Sequence, residues 1–329
     1  MSAAHAALEH VRRLAEASAP LDPAPAAEAA RARAHVTVTF HPDRPGRDGR
    51  TAAEGLAHDG RYRTQFETGT SSGGLDHVMR GARSGWEHVM FGGAYDGAPP
   101  ADRPRYGGLD LLGHPDGACP RFGSTHLRLR REVLTRCTFS WGDSVTQPSV
   151  VGTWDRLDAV LAAAASAGAP ELEGCSRSGA DRLGGDIIEV QIHGGLRMSD
   201  VEAVVSDPAY RGTAVEHHLA RACERDGATL AWHDGYALPV ASLDEEFRGP
   251  EPVALARAVC DRFGHEVIDP EMLGRAAVAI AADPTGWPGP GDVVETLQHL
   301  KYVWHHLAAF GYGSSELPEA RAAQPSVSG

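Results

Sequence analysis

The sequence predicts an α+β protein with an all-helical C-terminal region. Two observations carry this. Between residues 34 and 241, short runs rich in β-branched and aromatic residues alternate with amphipathic stretches, and Gly- and Pro-containing turns separate them. From about Ser242 the period is helical throughout, over residues 252–263, 271–281 and 292–310, and the last places Val293, Leu297, Leu300, Val303, Trp304 and Leu307 on one stripe. Such a stripe reads as a packing face. The boundaries that follow are an N-terminal helix and linker (1–33), a mixed domain (34–241), a helical region (242–312) and a tail (313–329) expected to be disordered.

The elements follow in order. Ala7, Leu8, Val11, Leu14 and Ala15 stand at helical spacing, so residues 3–18 are a helix, which Pro20, Pro23 and Pro25 end. Residues 34–40 alternate strictly as a strand, 41–46 turn, 51–58 form a short helix and 61–66 the next strand. A run of Gly, Ser and Thr follows over 67–74. Residues 84–90 are helical, 91–104 a Gly- and Pro-rich loop, and 106–112 a strand. After a turn at 114–117, residues 121–129 are a strand with 136–141 as its neighbour. An amphipathic helix spans 154–166, a polar loop leads to a strand at 185–194, residues 200–205 and 214–226 are helical with a loop between, and 228–233 is the last strand. No internal repeat interrupts this order.

Composition narrows the function classes. With 31 basic against 44 acidic residues the net charge is −13, which opposes unspecific binding to nucleic acid or anionic membrane. Five scattered cysteines without a Cys-x-x-Cys spacing suggest neither a disulfide framework nor a zinc knuckle. Seventeen histidines, His35 and His41 among them, show no paired ligand spacing, so no metal site is expected. Met1 is not followed by a signal-peptide pattern and no long apolar run exists, so synthesis in a cytoplasm and no membrane span are expected. Lys301 is the single lysine against thirty arginines, which fits the codon bias of a GC-rich bacterial genome; avoidance of lysine modification inside a eukaryotic host is the sharper reading.

The stretch with most chemical content is residues 185–194. In a strand, side chains alternate, so Ile188, Val190 and Ile192 face a core while Ile187, Glu189, Gln191 and His193 form a mostly polar wall. A carboxylate in mid-strand needs water, partners or a ligand. The wall is therefore either solvated or part of a site. The Gly-Ser-Thr run from Gly69 to Gly73 leaves a similar choice between surface loop and ligand loop, because its backbone amides can approach an anion closely but it has neither the Walker nor the Rossmann spacing.

Taken in order, Arg63 with Thr64, Gly123-Ser124-Thr125, and Glu189 fall on three separate predicted strands. This order resembles the arginine, serine and glutamate signature of ADP-ribosyltransferases, in which those residues surround an NAD cleft. The runs at 39–44, 62–69, 121–124 and 188–194 are similar to those of a bacterial family that includes effectors ADP-ribosylating ubiquitin on a threonine. The resemblance covers residues 35–235 and implies an ADP-ribosyltransferase-like split β-sheet core, NAD as substrate, and delivery of a toxin-like effector into host cells. It implies that Glu189 stabilises the cationic ribose as nicotinamide leaves, that Arg63 pairs with the phosphates, and that Ser124 hydrogen-bonds Glu189 or the ribose. Thr64, Gln65, Gly69, Gly123 and Gln191 would complete the cofactor contacts, with Arg44, Arg61 and Arg121 as alternative phosphate arginines.

Arginine-modifying relatives carry Glu or Gln two residues before the catalytic glutamate. Here that position is Ile187, which points to a hydroxyl acceptor or to water. Three functions follow: transfer to a protein hydroxyl such as ubiquitin threonine, an NAD glycohydrolase, or a non-catalytic module whose polar strand meets a protein.

Overall fold

The computed structural model describes residues 2–18, 25–70, 81–289 and 291–313, so the run Ser71 to Gly74 and the tail from residue 314 lie outside the described residues. The chain is α+β. It divides into two compact units, one made of the chain up to Ser178 with Gly184–Ser206 and Gly212–Ala231, the other of Gly179–Leu183, Asp207–Arg211 and the chain from Trp232.

In the first unit, helices α1 (Ala3–Ser18) and α2 (Pro25–Arg33) precede strand β1 (His35–Phe40). Helices α3 (Ala52–Asp59), α4 (Gln65–Thr68) and α5 (Ala82–Met90) lead to β2 (Arg105–Asp110), β3 (Thr125–Leu129), β4 (Cys137–Trp141) and β5 (Val151–Thr153). Helix α6 (Asp158–Ser166), β6 (Ile188–Ile192), β7 (Val201–Ser206), α7 (Ala214–Asp226) and β8 (Thr229–Trp232) complete it. The strands form one eight-stranded sheet in the order β5-β4-β6-β2-β1-β3-β7-β8.

Strand β6 lies inside that sheet, antiparallel to both β2 and β4. One face carries Ile188, Val190 and Ile192 into an apolar core with Val36, Val38 and Phe139, as the alternation requires. The other face is not solvated. Glu189 is 5% exposed, and Gln191 and His193 are fully buried, because aromatic residues of α5 and the following turn, Trp86, Phe91 and Tyr95, cover this side.

In the second unit, β9 (Leu238–Pro239) precedes α8 (Glu245–Arg248) and α9 (Pro250–Phe263), and pairs with β10 (Val267–Ile268), before α10 (Pro270–Ala282) and α11 (Val293–Phe310). Leu300, Val303, Trp304 and Leu307 of α11 are buried against Val259, Ile268 and Ile280, so the stripe is a packing face.

Four expectations about the first unit change. Residues 61–66 are not a strand: Thr64 caps α4, accepting from the Glu67 N–H at 3.2 Å, while Glu67 accepts from the Thr64 N–H at 2.9 Å. This Thr-x-x-Glu capping box outweighs the alternation. Residues 200–205 are strand β7 rather than helix, because Val201, Val204 and Val205 suit a buried pleat beside β3 better than a helix. Residues 137–141 pair with β6 and β5, and β3 instead has β1 and β7 as neighbours. Finally, β6 starts at Ile188, and Ile187 sits in a bend that breaks the alternation; it lines a small cavity with Asp110 and His114 instead of sharing a face with Glu189.

The buried His193 has a stability consequence. Its Nδ1 lies 2.8 Å from Tyr95 Oη and its Nε2 3.0 Å from Thr138 Oγ1. Burial holds the imidazole neutral, with its pKa lowered to about 3. The unfolded imidazole protonates near 6.5, so this contribution to stability is present above that value and is lost as pH falls toward 3. Urea unfolding is expected to lose about 1.4 kcal/mol through this group between about pH 7.5 and about pH 5.5, and His193→Gln removes that increment of pH dependence. An unchanged pH slope in the variant contradicts the assignment.

Candidate functional site

A cleft of about 170 Å³ opens in the first unit, with Glu189 and Asp143 in its wall. Rings of Phe40, Tyr62, Tyr106 and Phe122 contribute to the lining, and so do six arginines: 44, 50, 61, 63, 83 and 105. The sheet register explains how Glu189 reaches it. Gly108 of β2 and Ser140 of β4 flank Glu189 directly. At Gly108 a Cβ would lie 2.5 Å from Cys119 Sγ, so glycine is what lets the chain pack closely beside the carboxylate.

Glu189 is held from two sides. Its Oε2 accepts from the Ser144 N–H at 3.2 Å and the Ser144 hydroxyl at 3.0 Å, and Oε1 accepts from Gln191 Nε2 at 3.1 Å. Arg83 Nη1 donates to Ser144 Oγ at 2.6 Å. Gln191 also donates to Ser140 Oγ at 3.2 Å and accepts from Thr138 Oγ1 at 2.9 Å. The amide orientation follows from this chain of partners, and it continues to His193 and Tyr95. Burial raises the Glu189 carboxyl above the usual range, and nearby Asp143 adds to this. The Arg83 charge and the donors on Ser144 and Gln191 oppose the rise. The site is therefore a desolvated carboxylate with an organised set of donors, as sites that stabilise developing positive charge require.

The sequence-derived residues separate into two groups. Glu189, Arg63, Thr64 and Gln65 line the cleft, whereas Gly69, Gly123, Ser124 and Gln191 do not. Arg63 is not held on a strand; its Nε donates to Asp59 at 2.5 Å and its Nη1 to Asp48 at 2.7 Å. Arg61 makes a two-pronged pair with Glu67 at 2.7 and 3.0 Å. Arg121 pairs with Asp143 at 2.5 Å. Gly69 ends α4 with φ of 70°, a left-handed position glycine suits, and Thr68 and Thr70 rather than Gly69 meet the cleft.

Of the two contacts expected of Ser124, to Glu189 or to the ribose, the one to Glu189 is corrected. Ser124 precedes β3, and two strands, β2 and β1, stand between β3 and β6. At about 4.8 Å per strand the separation is roughly 14 Å, beyond hydrogen-bond reach. Ser144 takes the place instead. Sequence reasoning missed it, and Arg83 with it, although the turn residues of Gly142-Asp143-Ser144 after a strand were visible; what was not visible is that this strand pairs with β6.

The geometry thus defines an α+β protein with an arginine-rich cleft around a buried carboxylate. The family described as protein of unknown function (DUF3626) matches residues 35–169 and 172–310, and the chain belongs to that family. No curated protein matches it. Among the described residues no helix is long and apolar enough to cross a membrane, and no group of three or more His, Cys, Asp or Glu stands close enough to hold a metal ion.

Thr64 offers a test of the local fold. It caps α4 and also donates to the Pro100 carbonyl at 2.9 Å, from a position 2% exposed. Thr64→Ala is expected to lower unfolding free energy by about 1–2 kcal/mol in urea titration; a change within about 0.3 kcal/mol would show that the cap contributes nothing.

Proposed function

We propose that this chain is an NAD-dependent mono-ADP-ribosyltransferase with an ADP-ribosyltransferase-like core, moving ADP-ribose to a protein hydroxyl, with a threonine of ubiquitin as the first acceptor to test. The observation that carries the reading is the buried, donor-held Glu189 in a cleft lined by arginines and aromatic rings. A dinucleotide presents anionic phosphates, flat rings and a ribose, and these lining groups complement each part. As the bond from ribose carbon to nicotinamide nitrogen breaks, nicotinamide leaves with the electron pair and positive charge develops on the ribose. The Glu189 carboxylate stabilises that charge, the acceptor oxygen bonds to the same carbon, and the acceptor proton passes to the carboxylate. Ser144 and Gln191 keep the carboxylate aimed throughout.

A glycohydrolase shares every part of this scheme except the acceptor. Ile187 favours keeping it in view. The residue sits in a bend that lines another cavity, so it orients no acceptor in this cleft, and its apolar nature no longer narrows the acceptor. Nicotinamide release without modified protein identifies this second reading.

Incubation with NAD and ubiquitin followed by intact-mass analysis is expected to show nicotinamide release and one added ADP-ribose. Intact NAD after prolonged incubation removes both readings. Glu189→Gln should cut turnover by at least about a hundredfold with NAD affinity nearly unchanged, as for other losses of transition-state charge stabilisation. Wild-type turnover should fall with decreasing pH through a value above the ordinary carboxylate range, because protonation removes the charge of Glu189. Ser144→Ala should lower kcat by about tenfold or more and leave KM within a few-fold; a kcat equal to wild type would refute the role of the clamp.

A further inference from the structure

The arginines around the cleft are not equivalent as anion ligands. Arg63 is engaged by Asp48 and Asp59, and Arg61 by both oxygens of Glu67. Arg105 donates to the carbonyls of Tyr62 and Arg103, and Arg50 lies 3.7 Å from Asp48. A phosphate arriving at any of these meets a guanidinium that already has an acceptor, often a carboxylate that would repel it. Arg83 differs. It is 4% exposed, its one hydrogen bond among the described residues goes from Nη1 to the neutral Ser144 hydroxyl, and it makes no direct ion pair among them, although its charge acts on the nearby Glu189 and Glu87. The Tyr106 ring lies against it, with 4.1 Å from Cζ to the ring centroid, a contact that leaves the in-plane N–H donors unused.

A second observation points the same way. Arg83 Nε is buried without a hydrogen-bond partner among the described residues, and so is Thr39 Oγ1, and both residues line the cleft. Leaving a buried donor unsatisfied costs its desolvation without a compensating bond, a cost that a ligand oxygen would remove. The sheet register puts Thr39 on the face of Glu189. Glu189 is opposite Gly108, Gly108 is opposite Thr37, and Thr39 is two residues further along β1. The two orphaned groups and the carboxylate therefore line one cleft from three different elements, α5, β1 and β6.

We propose that Arg83 is the anion anchor of this cleft, holding a phosphate of the bound nucleotide with its free N–H edge, while Thr39 binds a neighbouring oxygen of the same ligand. This rests on the dinucleotide reading of the site. It replaces Arg63 as the phosphate ligand and gives one guanidinium two tasks: through Nη1 it fixes Ser144, the clamp on Glu189, and through its remaining donors it takes the phosphate. Arg63 is left as a structural residue that ties the turn at Asp48 to the end of α3.

Calorimetric titration of the full chain with ADP-ribose, and separately with inorganic pyrophosphate, tests this without requiring catalysis. Arg83→Lys keeps the charge and loses the planar fork, and should weaken ADP-ribose binding by about tenfold or more. Thr39→Val, nearly isosteric, should weaken it by about threefold to tenfold. Arg63→Lys should stay within about threefold of wild type. Thermal melting accompanies each variant, and Thr39→Val decides between the outcomes where Arg83→Lys does not fold. Wild-type affinity in both Arg83→Lys and Thr39→Val, or a larger loss in Arg63→Lys or Arg44→Lys than in Arg83→Lys, overturns the assignment, as does a wild-type chain that binds neither probe. ADP-ribose binding that depends on Arg83 in a chain that never cleaves NAD sustains the anchor and removes the transferase; NAD cleavage with Arg83-independent binding does the reverse.

Discussion

The burial of one carboxylate constrains the rest of the first unit. Glu189 is 5% exposed at the wall of the cleft, so little of its hydrogen bonding can come from bulk water and most of it comes from protein groups. Ser144 and Gln191 supply it, and each is itself fixed by a further partner, Arg83 on one side and Thr138 on the other. The chain of contacts extends through His193 to Tyr95, so groups from α5, the turn after it, β4 and β6 are tied to one position. Removing a member leaves its neighbour buried and unpaired, which makes the arrangement costly to disturb and well defined in geometry.

The same reasoning orders the arginines of the cleft. Several positive charges near one carboxylate would repel each other unless compensated, and the chain compensates Arg61 and Arg63 internally with Glu67, Asp48 and Asp59. Asp59 illustrates the strength of this local field. Burial would raise its carboxyl, yet hydrogen bonds from Arg63 and His58 hold it at about 2. An arginine bound in this way shapes the wall. An arginine beside a neutral hydroxyl and an aromatic ring, as Arg83 is, keeps N–H donors available to a ligand.

Legibility in the sequence differed by element. The alternation of β1 and of Ile188, Val190 and Ile192, the long helices of the C-terminal region and the placement of a candidate carboxylate at Glu189 were readable, because hydrophobic period and residue type are local properties. Residues 61–66 were readable too, through the capping box between Thr64 and Glu67, yet the alternation of Tyr62, Thr64 and Phe66 competed with it. Residues 200–205 carried three valines whose β-branched preference pointed to the strand that forms. The strand begins at Ile188, so Ile187 lies outside the alternation and faces another cavity, and its apolar side chain does not bear on the acceptor.

The sequence by itself determined the α+β class, the apolar and polar faces of β6, and that a carboxylate and a carboxamide two residues apart stand side by side. The tertiary structure decided which serine clamps that carboxylate, which arginines are consumed by ion pairs, and that the polar wall is buried rather than solvated. The reason is strand order. Ser124 and Ser144 are equivalent in composition and turn chemistry, but one precedes β3 and the other follows β4, and only β4 lies next to β6. Pairing between strands some fifty residues apart is set by how the whole sheet closes its core, and no local pattern records it.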